Sequence, residues 1–150
     1  MNNVDASCSG VEEPRWLPRL VNFGRVVLDE LEVDGWEVSL MMCDDDAIAG
    51  LNSRYRGQEG PTDVLAFPQG EFGLPRSDRQ ALKPAGDVVI SLETLSRQAR
   101  SYGVDEEEEL KRLLVHGILH LRGMTHGRGE RKMIELQERI VSSLKEERIF

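Results

Sequence analysis

HGILHLRGMTH, His116–His126, contains all three histidines of a 150-residue chain. The residues around it set its conformation. Leu110, Leu113, Leu114, Ile118 and Leu121 recur every three or four positions, the period of one helix face. Asp105 and Glu108 stand ahead of them at the D-x-x-E spacing of a capping box. Glu106–Glu109 place carboxylates at the positive end of the helix dipole, and the simplest reading of that run is a stabilised helix start. Gly123 follows the stripe, where a left-handed backbone can stop the helix and turn the chain.

On such a helix His116 and His120, at i and i+4, lie on one face with Cβ atoms about 5–6 Å apart. Two neighbouring imidazoles can grip a divalent metal at about 2.0–2.1 Å. The turn at Gly123 can bring His126 back to join them. Three protein ligands leave one tetrahedral position open to water or substrate, the arrangement of a catalytic site. Zinc suits three nitrogens best, and nickel, cobalt and iron also accept them. The competing reading is three ordinary hydrogen-bonded histidines. The spacing, the chain-reversing glycine and the lack of histidine elsewhere favour the metal.

The spacing H-x-x-x-H-x-x-G-x-x-H is that of the metzincin proteases, but their catalytic glutamate is replaced by Gly117. Without that base, peptide hydrolysis by their route has nothing to take a proton from the attacking water. Glycine inside a helix costs about 1 kcal/mol against alanine. Two readings of Gly117 offset that cost: room beside the metal for a bulky substrate, or a helix–strand contact with no space for a side chain. A metal that polarises a phosphoryl oxygen and acidifies water still suits phosphodiester hydrolysis.

Working outward, apolar residues from Leu17 to Leu31 recur at helical spacing within 14–33. WEVSLMMC (Trp36–Cys43) reads as a strand, and DDDAIAGLNSRYR as a helix opened by aspartates. PTDVLAFP (Pro61–Pro68) and GDVVISL (Gly86–Leu92) read as strands, with a long Gly/Pro-containing loop over 69–85. SLETLSRQARSYG is a helix closed by Gly103, and a last helix runs from about Gly129 to Lys145 with Met133, Leu136, Ile140 and Leu144 inward. Residues 1–13 are polar and are expected to be a loose terminus ahead of a single domain over 14–150.

Composition excludes several classes. Two cysteines, Cys8 and Cys43, are too few for a disulfide framework, and a reducing cytoplasm fits them. The start lacks the basic and apolar regions of a secretory signal, and no apolar run approaches the 18 residues of a membrane span. The net charge of −8 argues at first against nucleic acid. Residues 1–51 account for it, with eleven acids against three arginines, while residues 52–150 balance sixteen acids with sixteen bases. The histidine region need not repel phosphate.

HGILHLRGMTH resembles the H-G-x-L-H-L-x-G-x-D-H signature of the YbeY endoribonuclease family. LNSRYRG and PTDVLAFP resemble that family's L-N-x-x-[YF]-R and T-D-V-L-S-F-P blocks, and GDVVIS its G-D-I-x-I-S. The resemblance spans roughly residues 38–135. It implies an α/β (α+β) fold, a small mixed β-sheet packed with helices, and a zincin-like site on a helix and the turn after it. It implies a zinc-dependent endoribonuclease of the cytoplasm, specific for single-stranded RNA. Such enzymes act in maturation of ribosomal RNA, at the 3′ end of the small-subunit RNA, and in ribosome quality control. Its partners are then ribosomal RNA precursor and the small ribosomal subunit, not DNA or a membrane. By position His116, His120 and His126 match the metal ligands, and Arg56 the family's functional arginine.

Two positions depart from the pattern. Thr125 replaces an Asp that can orient a histidine, and Ala66 replaces a Ser. Arg56 has a physical case of its own, since a guanidinium grips phosphate through a planar fork and never loses its charge. The plainer reading pairs it with an acid such as Glu59. Asp63 and Asp87 are candidates for base work or for orienting a ligand, and serve equally as strand or turn caps. Against the nuclease stand a zincin-type metalloprotease, which Gly117 disfavours, and a ribosome-assembly factor whose metal is structural. Few aromatics are present, so base stacking offers no evident source of sequence preference.

Overall fold

The computed structural model describes residues 1–69, 82–125 and 127–150. Among the described residues, four strands and five helices follow in this order: β1 (Asn3–Ser9), α1 (Leu17–Glu30), β2 (Trp36–Cys43), α2 (Asp45–Arg56), β3 (Val64–Pro68), β4 (Lys83–Ser91), α3 (Leu92–Tyr102), α4 (Glu106–Leu121) and α5 (Glu130–Ser143). The strands form one mixed sheet in the order β1-β2-β4-β3, with β1, β2 and β4 parallel and β3 antiparallel to β4. This is the mixed α/β architecture that the family resemblance implies.

Helix ends follow local chemistry. The Asp44 side chain accepts from Ala47 N–H at the start of α2, Ser91 from Thr94 N–H at α3, and Asp105 from Glu108 N–H at α4. At the end of α4, Met124 N–H donates to Leu119 O and Gly123 N–H to His120 O. That is a Schellman closure, and Gly123 takes the positive φ of 93° it requires.

Alternation divides the sheet residues between two faces. Val4, Val38, Leu40, Met42, Val88 and Ile90 join Leu20, Phe23 and Val27 of α1 and Leu110, Leu114 and Ile118 of α4 in the main core. The opposite face carries a smaller cluster of Cys43, Leu65, Phe67 and Val89 under Ile48 of α2. Helix α4 is thus central, covered by the sheet on one side and by α5 on another.

Residues 1–13 differ from the loose terminus expected of them. Asn3–Ser9 pair in parallel with Glu37–Cys43 along the full length of β1. In NVDASCS the small apolar residues Val4, Ala6 and Cys8 alternate with polar ones and pack on the main core. The composition is polar, but the period is that of a half-buried strand. Strand β4 begins at Lys83, inside the loop expected over 69–85. Its pairing with β2 skips Ala85, just before Gly86, whose φ of 143° is open to glycine and whose added Cβ would lie 2.2 Å from Phe67 O. Residues 70–81 of that loop, and His126, lie outside the described residues.

Candidate metal and phosphate site

Helix α4 crosses the sheet with Gly117 against Val88. A Cβ on Gly117 would meet Val88 Cγ1 at 2.5 Å and Cγ2 at 3.0 Å. Close helix–strand packing therefore accounts for the glycine. It also explains how a histidine-bearing helix sits so near the strands: the neighbours of Gly117 on either side, Val115, Ile118 and Leu119, are buried, while His116 and His120 remain half-exposed.

The two histidines face one cleft of ≈ 440 Å³ lined by Arg56, Thr62, Asp63, Val64, Leu65, Ala66, His116, Gly117 and His120. Their Nε2 atoms approach to 3.1 Å, with the rings edge to face at 4.6 Å between centroids. Two nitrogens at bonds of about 2.0–2.1 Å on a tetrahedral ion lie roughly 3.3 Å apart, so this pair fits a metal. The other nitrogen of His116, Nδ1, lies 2.8 Å from Oε1 of Gln137 on α5. Metal-binding histidines are commonly held through their second nitrogen in this way. Gln137 is buried and escaped the reading of the sequence. The available signal was its place on the inward stripe, four residues after Met133 and three before Ile140. Thr125, at the position of the expected Asp, is exposed.

Arg56 sits at the end of α2, across the cleft from α4. Its Nη2 donates to Ala66 O at 2.7 Å, its Nη1 to Tyr55 O at 3.3 Å, and its guanidinium lies 4.8 Å from the centre of the Phe67 ring. Stacking and two carbonyls fix the plane of the fork beside the histidines. Asp63 also reaches the cleft, but its Oδ1 accepts from Val64 N–H at 2.7 Å and from Thr62 Oγ1 at 3.3 Å. That is a strand-start cap. Asp87 lies on the α2 side of the sheet, in a separate hollow with Ser7, Ser39, Met41 and Leu51. Burial pushes its carboxyl pKa up, and Asp5 adds to the shift. The structure does not bring Asp87 to the histidines.

The cleft edge of β3 is partly occupied. Ser91 N–H donates to Asp63 O and Gln69 N–H to Ala85 O. These ladder bonds set the parity, so Val64, Ala66 and Pro68 turn their backbone groups to the open edge. There the Val64 N–H is taken by Asp63, the Ala66 carbonyl by Arg56, and Pro68 has no N–H. These contacts weaken the edge as a template for an added strand.

The family profile described as Endoribonuclease YbeY matches residues 9–145. A protein of Treponema denticola named Endoribonuclease YbeY is 44% identical over 134 residues, covering 88% of this chain and 86% of its own. One from Aquifex aeolicus with the same name is 43% identical, covering 84% of this chain and 82% of its own. Among solved structures, the solution structure of TM1509 from Thermotoga maritima superposes with a TM-score of 0.59 at 27% identity, covering 94% of this chain and 87% of that one. With the fold, the paired imidazoles and these matches together, the chain belongs to the YbeY endoribonuclease family.

Proposed function

We propose that this protein is a metal-dependent endoribonuclease that cuts single-stranded RNA during maturation of ribosomal RNA, with one zinc ion per chain. The observation that carries the reading is the pair of Nε2 atoms 3.1 Å apart in a cleft that also holds Arg56. His116 and His120 would hold the ion, joined by His126, whose spacing supplies the third nitrogen. When bound, the ion supplies Lewis acidity: it polarises a phosphoryl oxygen and makes water a competent nucleophile near neutral pH.

The chain's own residues do the rest. Arg56 holds a phosphate oxygen and offsets the charge that builds on it during displacement. Its plane is set before substrate arrives by Ala66 O and the Phe67 ring, so little ordering is left for the moment of reaction. The departure at Ala66 leaves this grip intact, because Arg56 binds the backbone carbonyl and not a side chain. The peptidase alternative is disfavoured twice over. Gly117 supplies no base, and the β3 edge, where an extended peptide would add as a strand, is partly occupied by Asp63 and Arg56 and lacks a donor at Pro68.

The test is cleavage of a labelled single-stranded RNA by purified protein with His120→Ala in parallel. Cleavage by the wild type that vanishes in the folded variant supports the reading. Equal cleavage by both removes the chemistry from the histidines. RNA bound but never cut, by a protein that unfolds without metal, instead supports an assembly factor with a structural ion.

A further inference from the structure

We infer that Gln137 is a positioning residue that sets which nitrogen of His116 carries the proton, and that an ion pair on α4 and α5 sets the orientation of Gln137 itself. The inference uses the metal reading only to say what the resulting lone pair is for.

The chain of constraint begins at Arg112. Its Nε donates to Glu138 Oε2 at 2.8 Å and its Nη2 to Glu138 Oε1 at 3.0 Å, a two-pronged grip on the carboxylate. Arg112 is braced in turn by Glu109 and Glu108, each at 3.2 Å. An ionised carboxylate only accepts hydrogen bonds. Its neighbour along the helix, Gln137, lies with Nε2 3.1 Å from Glu138 Oε2. The amide must therefore turn its NH2 toward Glu138, because the reverse would set a carbonyl oxygen against a carboxylate oxygen.

With its NH2 committed, Gln137 presents Oε1 to His116 Nδ1 at 2.8 Å. An amide oxygen only accepts, so Nδ1 must donate. A neutral imidazole has one proton, so Nε2 keeps its lone pair. That lone pair faces the cleft and His120 Nε2. The ion pair thus selects, through one buried amide, the form of His116 that can bind a cation. If Gln137 were only a satisfied polar group in the core, its removal would change stability and leave the tautomer of His116 unchanged.

The experiment uses the full-length protein with Gln137→Met and Gln137→Glu. Nitrogen-15 NMR of the metal-free wild type reads the tautomer of His116, and chelator competition reads its affinity for Zn2+. The wild type is expected to show the Nδ1–H form. Gln137→Met, similar in length but without a strong acceptor, should lose that preference and bind Zn2+ about 10–100-fold more weakly. Gln137→Glu keeps an acceptor on Nδ1 and should retain both properties, at a cost in stability because it sets a second carboxylate against Glu138. An Nε2–H tautomer in the wild type overturns the inference with no variant needed. So does an unchanged tautomer and Zn2+ affinity in folded Gln137→Met. A wild type that takes up no Zn2+ at these histidines defeats the metal reading, while the tautomer in the metal-free protein still decides the role of Gln137.

Discussion

The two walls of the cleft are built by different means. The α4 wall stands on the main core: Leu110, Leu114, Ile118 and Leu119 are fully buried beneath the histidines, and Gly117 locks the helix to Val88. The wall of α2 and β3 rests on the small cluster around Phe67 and Val89, reaches the main core only through the half-buried Val64 and Ala66, and is held at its ends by polar ties. Asp45 Oδ1 accepts from Ser91 Oγ at 2.7 Å and Thr94 Oγ1 at 2.6 Å, and its Oδ2 pairs with Arg97 at 2.8 Å. Asn52 holds Gly60 O at 3.0 Å, and Arg56 holds Ala66 O. One wall is fixed by apolar burial, which is non-directional and cumulative. The other is fixed by a few directed bonds, each of which one substitution can remove. A metal site needs the first kind of support, since ligand geometry tolerates little movement. A phosphate grip can rest on the second.

Arg56→Lys breaks the comparison at its most functional point. Lysine keeps the charge but not the planar fork, so it cannot hold both Ala66 O and a phosphate in one plane. RNA cleavage should fall by about 10²-fold, the scale of losing one well-placed donor, with the unfolding temperature shifted by no more than a few degrees. Undiminished cleavage would show that Arg56 only staples β3 to α2.

Asp45→Asn tests the ties at the other end of α2. Burial pushes the Asp45 carboxyl pKa up, but bonds from Thr94, Ser91 and Arg97 together outweigh it, and the pKa falls below the ordinary 3.8. A carboxyl depressed on folding stabilises fully above its unfolded pKa and loses that contribution as pH falls through its folded value. The variant should cost about 2 kcal/mol at pH 7, the scale of hydrogen bonds to a charged group. The gap to the wild type in urea unfolding should narrow below pH 3.8. A gap that is constant with pH would assign the loss to packing instead.

Gly117→Ala strains the α4 wall. Helix propensity gains about 1 kcal/mol, but the new methyl meets a stiff, β-branched Val88, and overpacking costs about 1–3 kcal/mol. A net loss of about 1 kcal/mol is expected. Val88→Ala in the same chain should cost less than the single changes summed, because the space it vacates receives the methyl. Strict additivity in urea unfolding would mean that the two residues do not press on each other.

How much of this was legible follows the same division. What depends on near neighbours in the chain can be read from it: the i, i+4 pair His116 and His120, the caps at Asp44 and Asp105, and the stop at Gly123. What depends on distant residues cannot. Gln137 reaches His116 from 21 positions away, and Arg56 is fixed by a backbone carbonyl ten residues on, which no side-chain pattern encodes. Gly117 left two readings open, since only the sheet shows that Val88 occupies the space. For Asn3–Ser9 the strand period was present in the residues, but the polar composition outweighed it.

Cys43 offers a gauge of whether the two walls open separately. It is fully buried beneath α2, with Sγ 3.6 Å from Ile90 O, and burial together with Asp44 and Asp45 pushes its pKa up to about 12. The thiolate, not the thiol, attacks a labelling reagent, so at pH 8 native Cys43 should be inert and react only after α2 lifts. If that lifting is local, its free energy is smaller than that of global unfolding and is set by the Asp45 ties. Asp45→Asn should then speed Cys43 labelling by up to about 30-fold, which is about 2 kcal/mol at 1.36 kcal/mol per decade. Gly117→Ala, acting on the opposite face of the sheet, should leave the rate nearly unchanged. Labelling that instead accelerates in both variants in proportion to their global destabilisation would mean that α2 and α4 come apart in one step. The small cluster under α2 would then be energetically continuous with the main core, and the difference between the walls would be one of construction alone.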